Sequence, residues 1–493
     1  MPADPSWVDF AVAGAGFGGL AAAALLLKQG HSVVVLEASG LPGGCGQTFR
    51  RGPYRFDAGA TTICGAEGDL PLARLAEALD LDFGLSRVDP GMSVWLDGAR
   101  IDRHADRQAW IDEACSHFGS TQRQLWNELL RVSDLGWRVS RRASRFPPAN
   151  VRDLVHAASA AGVDGLRLAP SIVTSTARCL RRKLGTVPAR FARFVDEQLL
   201  ITAQAGPSDV PLLVGAMGLT YTNYGNYASP GGVGGLAEML VQKIRASGGV
   251  VRYGQRVESI EAVHGGYRLR ARRGDVLARR VVSNLTIWNM GDVGDGVIGD
   301  HFRRKRSAQR DAWGAFTVYL GVKDTFGDDR ALHHQILFDE PLPLTGSRSV
   351  FVSISAKDDA TRAPDGHRAV TVSTHTDVAP WWALEGAAYE EAKERVVEAI
   401  LEHVRNDSQL GRLAVQSRLS GTPRTFVRYT SRSRGRVGGI PSTFGALAAA
   451  AGPVTPFPGL FLVGDTTYPG QGIPAVVLGA LNLSGRIGRA GST

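Results

Sequence analysis

Three features of this 493-residue chain predict an α/β fold. A short apolar run at 8–13, a glycine-rich turn, an Ala/Leu-rich helix over 18–29 and a β-branched run, SVVVL at 32–36, read as strand, turn, helix, strand. Near the other end, a buried strand at 460–463 runs into a second glycine-rich turn and a final helix over about 473–489. Between them, a helix over 235–247 stops at Gly248-Gly249 and leads into strands at 250–253 and 256–263 and a hairpin over 267–282. Together these pieces predict one Rossmann-like domain that is discontinuous in sequence, spanning 1–95, 228–290 and 420–493. The remainder, 96–227 and 291–419, is an inserted α+β substrate domain, reached twice from the first.

The other elements follow from periodicity. Residues 70–80 and 106–142 have the spacing of amphipathic helices, and 150–205 is mostly helical with basic and apolar residues interleaved. Strands at 314–322, 349–355 and 368–374 belong to a separate sheet, and 388–405 is an acidic amphipathic helix. A hydrophobic share of 44% with 21% charged residues suits a soluble globular protein with a large core, in two or three domains.

The net charge of +9 suits anionic partners. Basic residues cluster at Arg178, Arg181, Arg182, Lys183, Arg190 and Arg193, and at Arg303, Arg304, Lys305, Arg306 and Arg310. Two readings stay open for them, a solvated face or contact with lipid headgroups. No nucleic-acid motif accompanies them, which argues against a nucleic-acid partner. Cys45, Cys64, Cys115 and Cys179 are widely spaced, which predicts neither a disulfide scaffold nor a metal site and points to a reducing cytoplasm. Residues 10–27 are apolar, but no Lys or Arg precedes them, so a signal peptide is not expected. No other apolar run reaches about 18 residues, so any membrane contact is expected to be peripheral.

The chemistry sits in the two glycine turns. Gly14-Ala15-Gly16-Phe17-Gly18-Gly19 is a G-x-G-x-x-G. Gly14 permits the tight turn, Gly16 lets a pyrophosphate approach bare backbone, and Gly19 lets the helix pack on the strand. The helix N-terminus then offers unpaired N–H groups to phosphates. Glu37, with Ala38 beside it, stands where a carboxylate accepts bonds from ribose hydroxyls and would repel a 2′-phosphate. FAD and NAD both satisfy this much. A further turn at Gly43-Gly44, then Gly46, Thr48 and Phe49, extends the site beyond what NAD needs, in the manner of glutathione-reductase-like flavoproteins that wrap FAD. Arg50 and Arg51 are either phosphate contacts or exposed turn charges. At the C-terminal end, Gly464-Asp465 leaves the last strand. Asp465 is placed for ribityl hydroxyls or the pyrophosphate region. The Gly470-x-Gly472 turn opens a helix at Ile473 whose N–H groups face the flavin pyrimidine, stabilising charge on the reduced ring.

These motifs resemble those of the FAD-dependent carotenoid oxidoreductases: phytoene desaturases, carotenoid isomerases and retinol saturases. GDTTYPGQGIPAVVLGALNLSGRI, at 464–487, is most similar to the isomerase and saturase branch. Residues 229–240, 358–377 and 421–441 also resemble family segments, and Phe56–Ala60, with Gly59, resembles the stretch beside the flavin. The resemblance implies that backbone near Val257 contacts the adenine and that Ser283-Asn284 closes the ADP pocket. It is weakest between about 100 and 220. It also implies an apolar tunnel and a polyene or isoprenoid substrate drawn from the membrane. The apolar series Phe191, Phe194, Leu199, Leu200, Ile201, Leu212, Leu213, Met217, Tyr221, Tyr224 and Tyr227 is material for a tunnel or for plain core.

No Ser-His-Asp set, metal cluster or carboxylate pair stands out, and most histidines, His375 among them, read as structural or exposed. The flavin carries the chemistry: desaturation, saturation or cis-trans isomerisation of carbon–carbon bonds. Tyr468 and Gln471 are candidates for shaping the reacting end. An amine-oxidase-like enzyme and a non-enzymatic flavin scaffold are the alternatives. With a single complete G-x-G-x-x-G, no second nucleotide domain is expected; the electron acceptor or donor stays open, with a quinone and dioxygen among the candidates.

Overall fold

The computed structural model describes residues 7–143, 145–307, 312–327 and 331–488. Its first seven-stranded sheet runs in the order Val250–Arg252, Val33–Leu36, Val8–Ala13, Val276–Ser283, Gly266–Ala271, Val257–Val263, with Leu460–Leu462 also paired to Val276–Ser283. Five of its strands, Val250–Arg252, Val33–Leu36, Val8–Ala13, Val276–Ser283 and Leu460–Leu462, pair in parallel. All of Val33–Leu36 is buried, as a parallel strand covered on both faces must be. Helices Phe17–Lys28, Val233–Ala246 and Ile473–Ile487 cover one face around Phe10, Val12, Leu20, Val35 and Leu483.

The second seven-stranded sheet runs Val415–Gly421, Gly314–Lys323, His367–Thr376, Ser349–Ile354, His333–Leu337, Met92–Leu96, Ala99–Arg103. Its pairs are antiparallel except Met92–Leu96 with His333–Leu337. Alternation along its strands separates two faces. Phe316, Val318, Leu320, Val350, Val352, Val370 and Val372 pack on helix Gly386–Asn406. The opposite face packs on the separate hairpin 48–57 and the loop that follows it: Tyr319 donates to the Ala58 carbonyl (2.6 Å), Ser353 to Thr61 (2.7 Å) and Thr371 to the Asp57 carbonyl (3.2 Å).

Two hairpins escaped the sequence reading. Met92–Leu96 and Ala99–Arg103 turn at Asp97-Gly98, both at positive φ, and an Asp-Gly step between alternating residues is the signal for such a turn. Because they pair in the second sheet, the expected boundary at 95/96 falls inside a strand. The boundary at 419/420 falls inside Val415–Gly421 for the same reason. The other hairpin, Thr48–Arg51 with Tyr54–Asp57, carries Arg50 and Arg51 outward. The expected helix over 106–142 is two, Arg107–Phe118 and Gln122–Arg142, broken at Gly119 (φ 96°). Arg310 lies outside the described residues, as do the side chain of Arg306 and the last residue expected in the final helix, which spans Ile473–Ile487.

A helical layer, from Arg107 to Thr220, packs on the end of the second sheet. At its centre Arg103 is fully buried, its guanidinium 4.3 Å from the Trp110 ring centroid and near Trp126 and Phe194, donating to Gln198 and to the Leu219 carbonyl. Helix Val151–Val173 lies outermost. Gly162 (φ 50°, ψ −144°) interrupts it, and its first turn is tied inward by the Asp153–Arg486 pair at 2.5 Å, both side chains nearly buried. Burial alone would raise the Asp153 carboxyl, but the Ala149 N–H and Arg486 hold it below its usual range.

An Asp153→Asn protein leaves Arg486 buried without its counter-charge, which costs about 3–5 kcal/mol near neutral pH. A group with a depressed folded-state pKa stabilises above its unfolded value and loses that contribution as pH falls through the folded one. Urea unfolding should therefore show a large difference between wild type and variant at neutral pH that shrinks in acid.

Candidate flavin and substrate site

Three parallel strands deliver their C-terminal ends to one place. The N–H of Asn284 donates to the Ala13 carbonyl (2.9 Å), and the N–H of Val463 to the Ser283 carbonyl (2.9 Å). This brings the two glycine turns together. A Cβ on Gly18 would stand 3.1 Å from the Gly464 nitrogen and 2.9 Å from Asn284 Oδ1, and one on Gly16 would meet Asn284 Nδ2 at 2.4 Å. The turns are bare because the Asn284 side chain fills the space between them.

Gly43-Gly44 folds back on the first turn: the Gly43 N–H donates to the Ala15 carbonyl (2.8 Å), and Gly44 faces the Gly16 Cα. Glu37 is buried, its carboxylate accepting from the Ala15 N–H (2.7 Å) and the Ser39 N–H (2.8 Å). It therefore ties the glycine turn to the end of the second strand, and its remaining lone pairs face the cavity. Helix Phe17–Lys28 has no side-chain cap and no acid in its first turn, and helix Ile473–Ile487 is likewise uncapped. Both N-termini open on the same cavity. Two free sets of helix N–H groups, a bare glycine cradle and a ribose-type carboxylate fit a dinucleotide with an anionic centre.

The cavity measures about 1650 Å³, beyond the 300–1,000 Å³ typical of one small-molecule site, and so has room for a cofactor and a second ligand. Of the expected site residues, Gly14, Gly16, Phe17, Gly18, Glu37, Ala38, Gly43, Gly44, Gly59, Val257, Asn284, Gly464, Asp465, Tyr468, Gln471, Gly472 and Ile473 line it. Gly19 and Thr48 do not. Gly19 lies against the Gly14 carbonyl, where a Cβ would come to 2.3 Å, so its role is helix packing. Thr48 is buried, donating to Asp57 (2.6 Å) and accepting from the Gly234 N–H (2.8 Å), which consumes its hydroxyl inside the protein. Ser283 is also turned inward, onto Met290 and the Leu285 N–H. Arg50 reaches only the Gly52 carbonyl.

Several lining residues were not foreseen. Arg432 pairs with Asp465 at 2.8 Å. Burial would lower the Arg432 pKa, but Asp465 and Cys45 more than reverse this. Asp465 thus reaches the cavity already bonded to a cation. Gln204, His375 and Trp137 also line the wall, drawn from three separate elements. Of the apolar series, Ile201, Leu213, Met217 and Tyr221 line the cavity, whereas Phe191, Phe194, Leu199 and Leu212 are core. Tyr468, pushed up to about 12 by burial, stays a neutral phenol and meets Phe146 edge-on at 5.0 Å. Gln471 donates to the Thr202 carbonyl (2.6 Å), so its amide spans from the Gly470–Gly472 turn to the helical layer.

Residues 17–487 match the family of flavin-containing amine oxidoreductases. The chain belongs to that family. Within it, FAD is the cofactor, and the glycine cradle described above is where a family member of this fold has room for it. Among curated relatives, prolycopene isomerase of Daucus carota is 25% identical, with 97% of this chain and 80% of that one aligned. The zeta-carotene-forming phytoene desaturase of Myxococcus xanthus is 26% identical over 97% of this chain and 93% of its own. Among solved structures, an oxidoreductase from Methanosarcina mazei superposes with a TM-score of 0.64 at 19% identity, covering 96% of this chain and 99% of that one. Cyclohexylamine oxidase from Brevibacterium oxydans gives 0.60 at 16% identity, with 98% of each chain covered. These likenesses establish the shared fold.

Replacing Gly16 with Val forces a side chain into Asn284 and the phosphate approach. The purified flavoenzyme should then lose most of its bound flavin, read as the ratio of flavin to protein absorbance. Glu37→Arg removes the acceptor for the Ala15 and Ser39 amides and buries a cation in its place. Flavin retention should fall at least as far, and full retention would exclude Glu37 from the ribose contact.

Proposed function

We propose that this flavoenzyme carries out redox chemistry on the carbon–carbon bonds of a carotenoid, polyene or other long isoprenoid. The observation that carries the reading is the composition of the cavity wall beyond the cofactor end. Among the described lining residues the only carboxylates are Glu37, bonded to backbone amides, and Asp465, bonded to Arg432. No free carboxylate waits for an ammonium group, and an isolated cation would go unpaired there. The remaining wall is built largely of Ala, Leu, Val, Ile, Met and Phe side chains from the helical layer and suits an extended apolar molecule. The curated relatives, named for carotenoid isomerisation and desaturation, support the same choice.

Bound flavin supplies two-electron chemistry at carbon. The chain's own residues orient the chain of the substrate between Tyr468, Tyr221 and Met217, and keep water out through the apolar wall. Tyr468 stays protonated, so it offers packing and a neutral dipole rather than charge.

The reading extends to how such a substrate arrives. Phe146, Leu154, Leu166, Ile172, Val173 and Phe444 line the cavity and are also exposed, Leu166 by 76% and Val173 by 78%. They mark the opening. Val151, Val155 and Val163 continue the exposed apolar face along the same helix, with Arg152 and Arg167 exposed among them. An amphipathic helix of this kind lies in a bilayer surface. No described helix is long and apolar enough to cross a membrane. The opening thus stands on helix 151–173 rather than beside the basic cluster at 178–193, where Arg190 and Arg193 are engaged with Asp97 and Asp339.

Anaerobic incubation with candidate polyenes tests the chemistry: flavin absorbance and product geometry should change together, and a set of amines should leave the flavin unchanged. Replacing both Leu166 and Val173 with Asp should sharply reduce co-flotation with anionic vesicles while leaving bound flavin intact.

A further inference from the structure

FAD carries two negative charges on its diphosphate, and the chain must meet them inside the cavity. The glycine cradle offers backbone N–H groups and helix N-termini, which supply partial charge only. Among the described lining residues the Lys and Arg side chains are those of Arg256 and Arg432. Arg256 is exposed and follows Gln255, whose N–H donates to the Glu37 carbonyl (2.8 Å), so it stands at the ribose end. Arg432 stands at the cradle itself.

Its two side-chain partners place it there. Asp465, 2.8 Å away, follows Gly464, whose nitrogen would stand 3.1 Å from a Cβ on Gly18. Cys45, whose thiol accepts from the same guanidinium, follows Gly44, where a Cβ would stand 3.5 Å from the Gly16 Cα. The guanidinium thus touches the residue next in chain on each side of the cradle. It lines the cavity, and 14% of its side-chain surface stays open.

The local chain holds it in that position. The Asn289 side chain donates to the Ser431 carbonyl (3.0 Å) and accepts from the Ser433 N–H (3.2 Å), which brackets Arg432 from both sides. Arg432 Nε donates to the Arg436 carbonyl, and Asp465 fixes the outer end of the planar group. A side chain held this way loses little freedom on meeting a ligand. The bonds to Arg436, Asp465 and Cys45 do not exhaust the five N–H groups of a guanidinium, whose fork matches phosphate oxygens. Asp465 alone would repel a diphosphate at this place, and its pairing with Arg432 removes that repulsion.

We propose that Arg432 is the diphosphate-binding side chain of the cofactor site. Its guanidinium, aimed by Asp465 and the Asn289 clamp, bonds the phosphate oxygens of FAD directly. Affinity for the cofactor is then set in part by a residue outside both glycine motifs.

Calorimetric titration of the full chain, freed of flavin, with ADP and with adenosine tests this. The probes share adenine and ribose and differ in the diphosphate. The wild type should bind ADP more tightly than adenosine. Arg432→Gln should weaken ADP binding on the order of tenfold to a hundredfold and leave adenosine binding unchanged. Arg432→Lys, which keeps the charge without the fork, should fall between them. A protein carrying both Arg432→Gln and Asp465→Asn separates direct contact from charge cancellation: its ADP affinity should stay low, and recovery to the wild-type value overturns the proposal. An Arg432→Gln protein that loses affinity for both probes alike, or for neither, overturns it too. Phenylglyoxal labelling of the wild type, read by peptide mass, needs no variant. ADP should shield Arg432 and adenosine should not; equal labelling in the presence of either overturns the assignment.

Discussion

The Asn284 carboxamide occupies the gap that three glycines leave, and the cofactor site depends on that fit. Gly16, Gly18 and Gly464 come from turns more than 440 residues apart in the chain, yet each presents bare backbone to the same side chain. The parallel sheet makes this possible. Strands ending at Ala13, Ser283 and Leu462 lie side by side, so the loops that leave them emerge at one edge, where ligands of open α/β sheets bind. Any side chain larger than hydrogen at these glycines separates the turns. The amide N–H groups of two helices would then no longer address one anion.

The second sheet completes the enclosure by alternation. In Gly314–Lys323 and His367–Thr376 the odd-numbered Ala315, Thr317, Ser373 and His375 line the cavity, whereas Phe316, Val318, Leu320, Val322, Val370 and Val372 form a core with helix Gly386–Asn406. The period of two along a strand thus divides hydroxyl and imidazole groups from the Val-rich packing face with no change of backbone. The loop after hairpin 48–57 lies against this face, held by Tyr319 on Ala58 and Ser353 on Thr61, and both the loop and the face contribute to the cavity wall.

The glycine turns, the parallel strands around them and most helices were legible in the sequence because their signals are local. A G-x-G-x-x-G after a β-branched run needs no knowledge of the rest of the chain. What was not legible depends on long-range pairing. Met92–Leu96 joins a sheet whose strands, its hairpin partner Ala99–Arg103 aside, lie more than 200 residues later, and only the Asp97-Gly98 turn betrays it. Thr48 looks like a ligand contact until Gly234 and Asp57 are seen to use its hydroxyl. Of the basic cluster at 178–193, Arg190 and Arg193 are taken up by ion pairs, and the exposed apolar face lies one helix earlier, on Val151–Val173.

Helix Ile473–Ile487 begins at the Gly470–Gly472 turn and carries Arg486 in its last turn, where it holds Asp153 at the start of the outer helix. At about 1.5 Å per residue these two points are about 20 Å apart on one continuous rod. Such a rod transmits push and pull along its axis far better than a loop. A shift of the outer helix is therefore felt as an axial load at Gly472, so the exposed apolar rim of the cavity and its C-terminal glycine turn are mechanically in series.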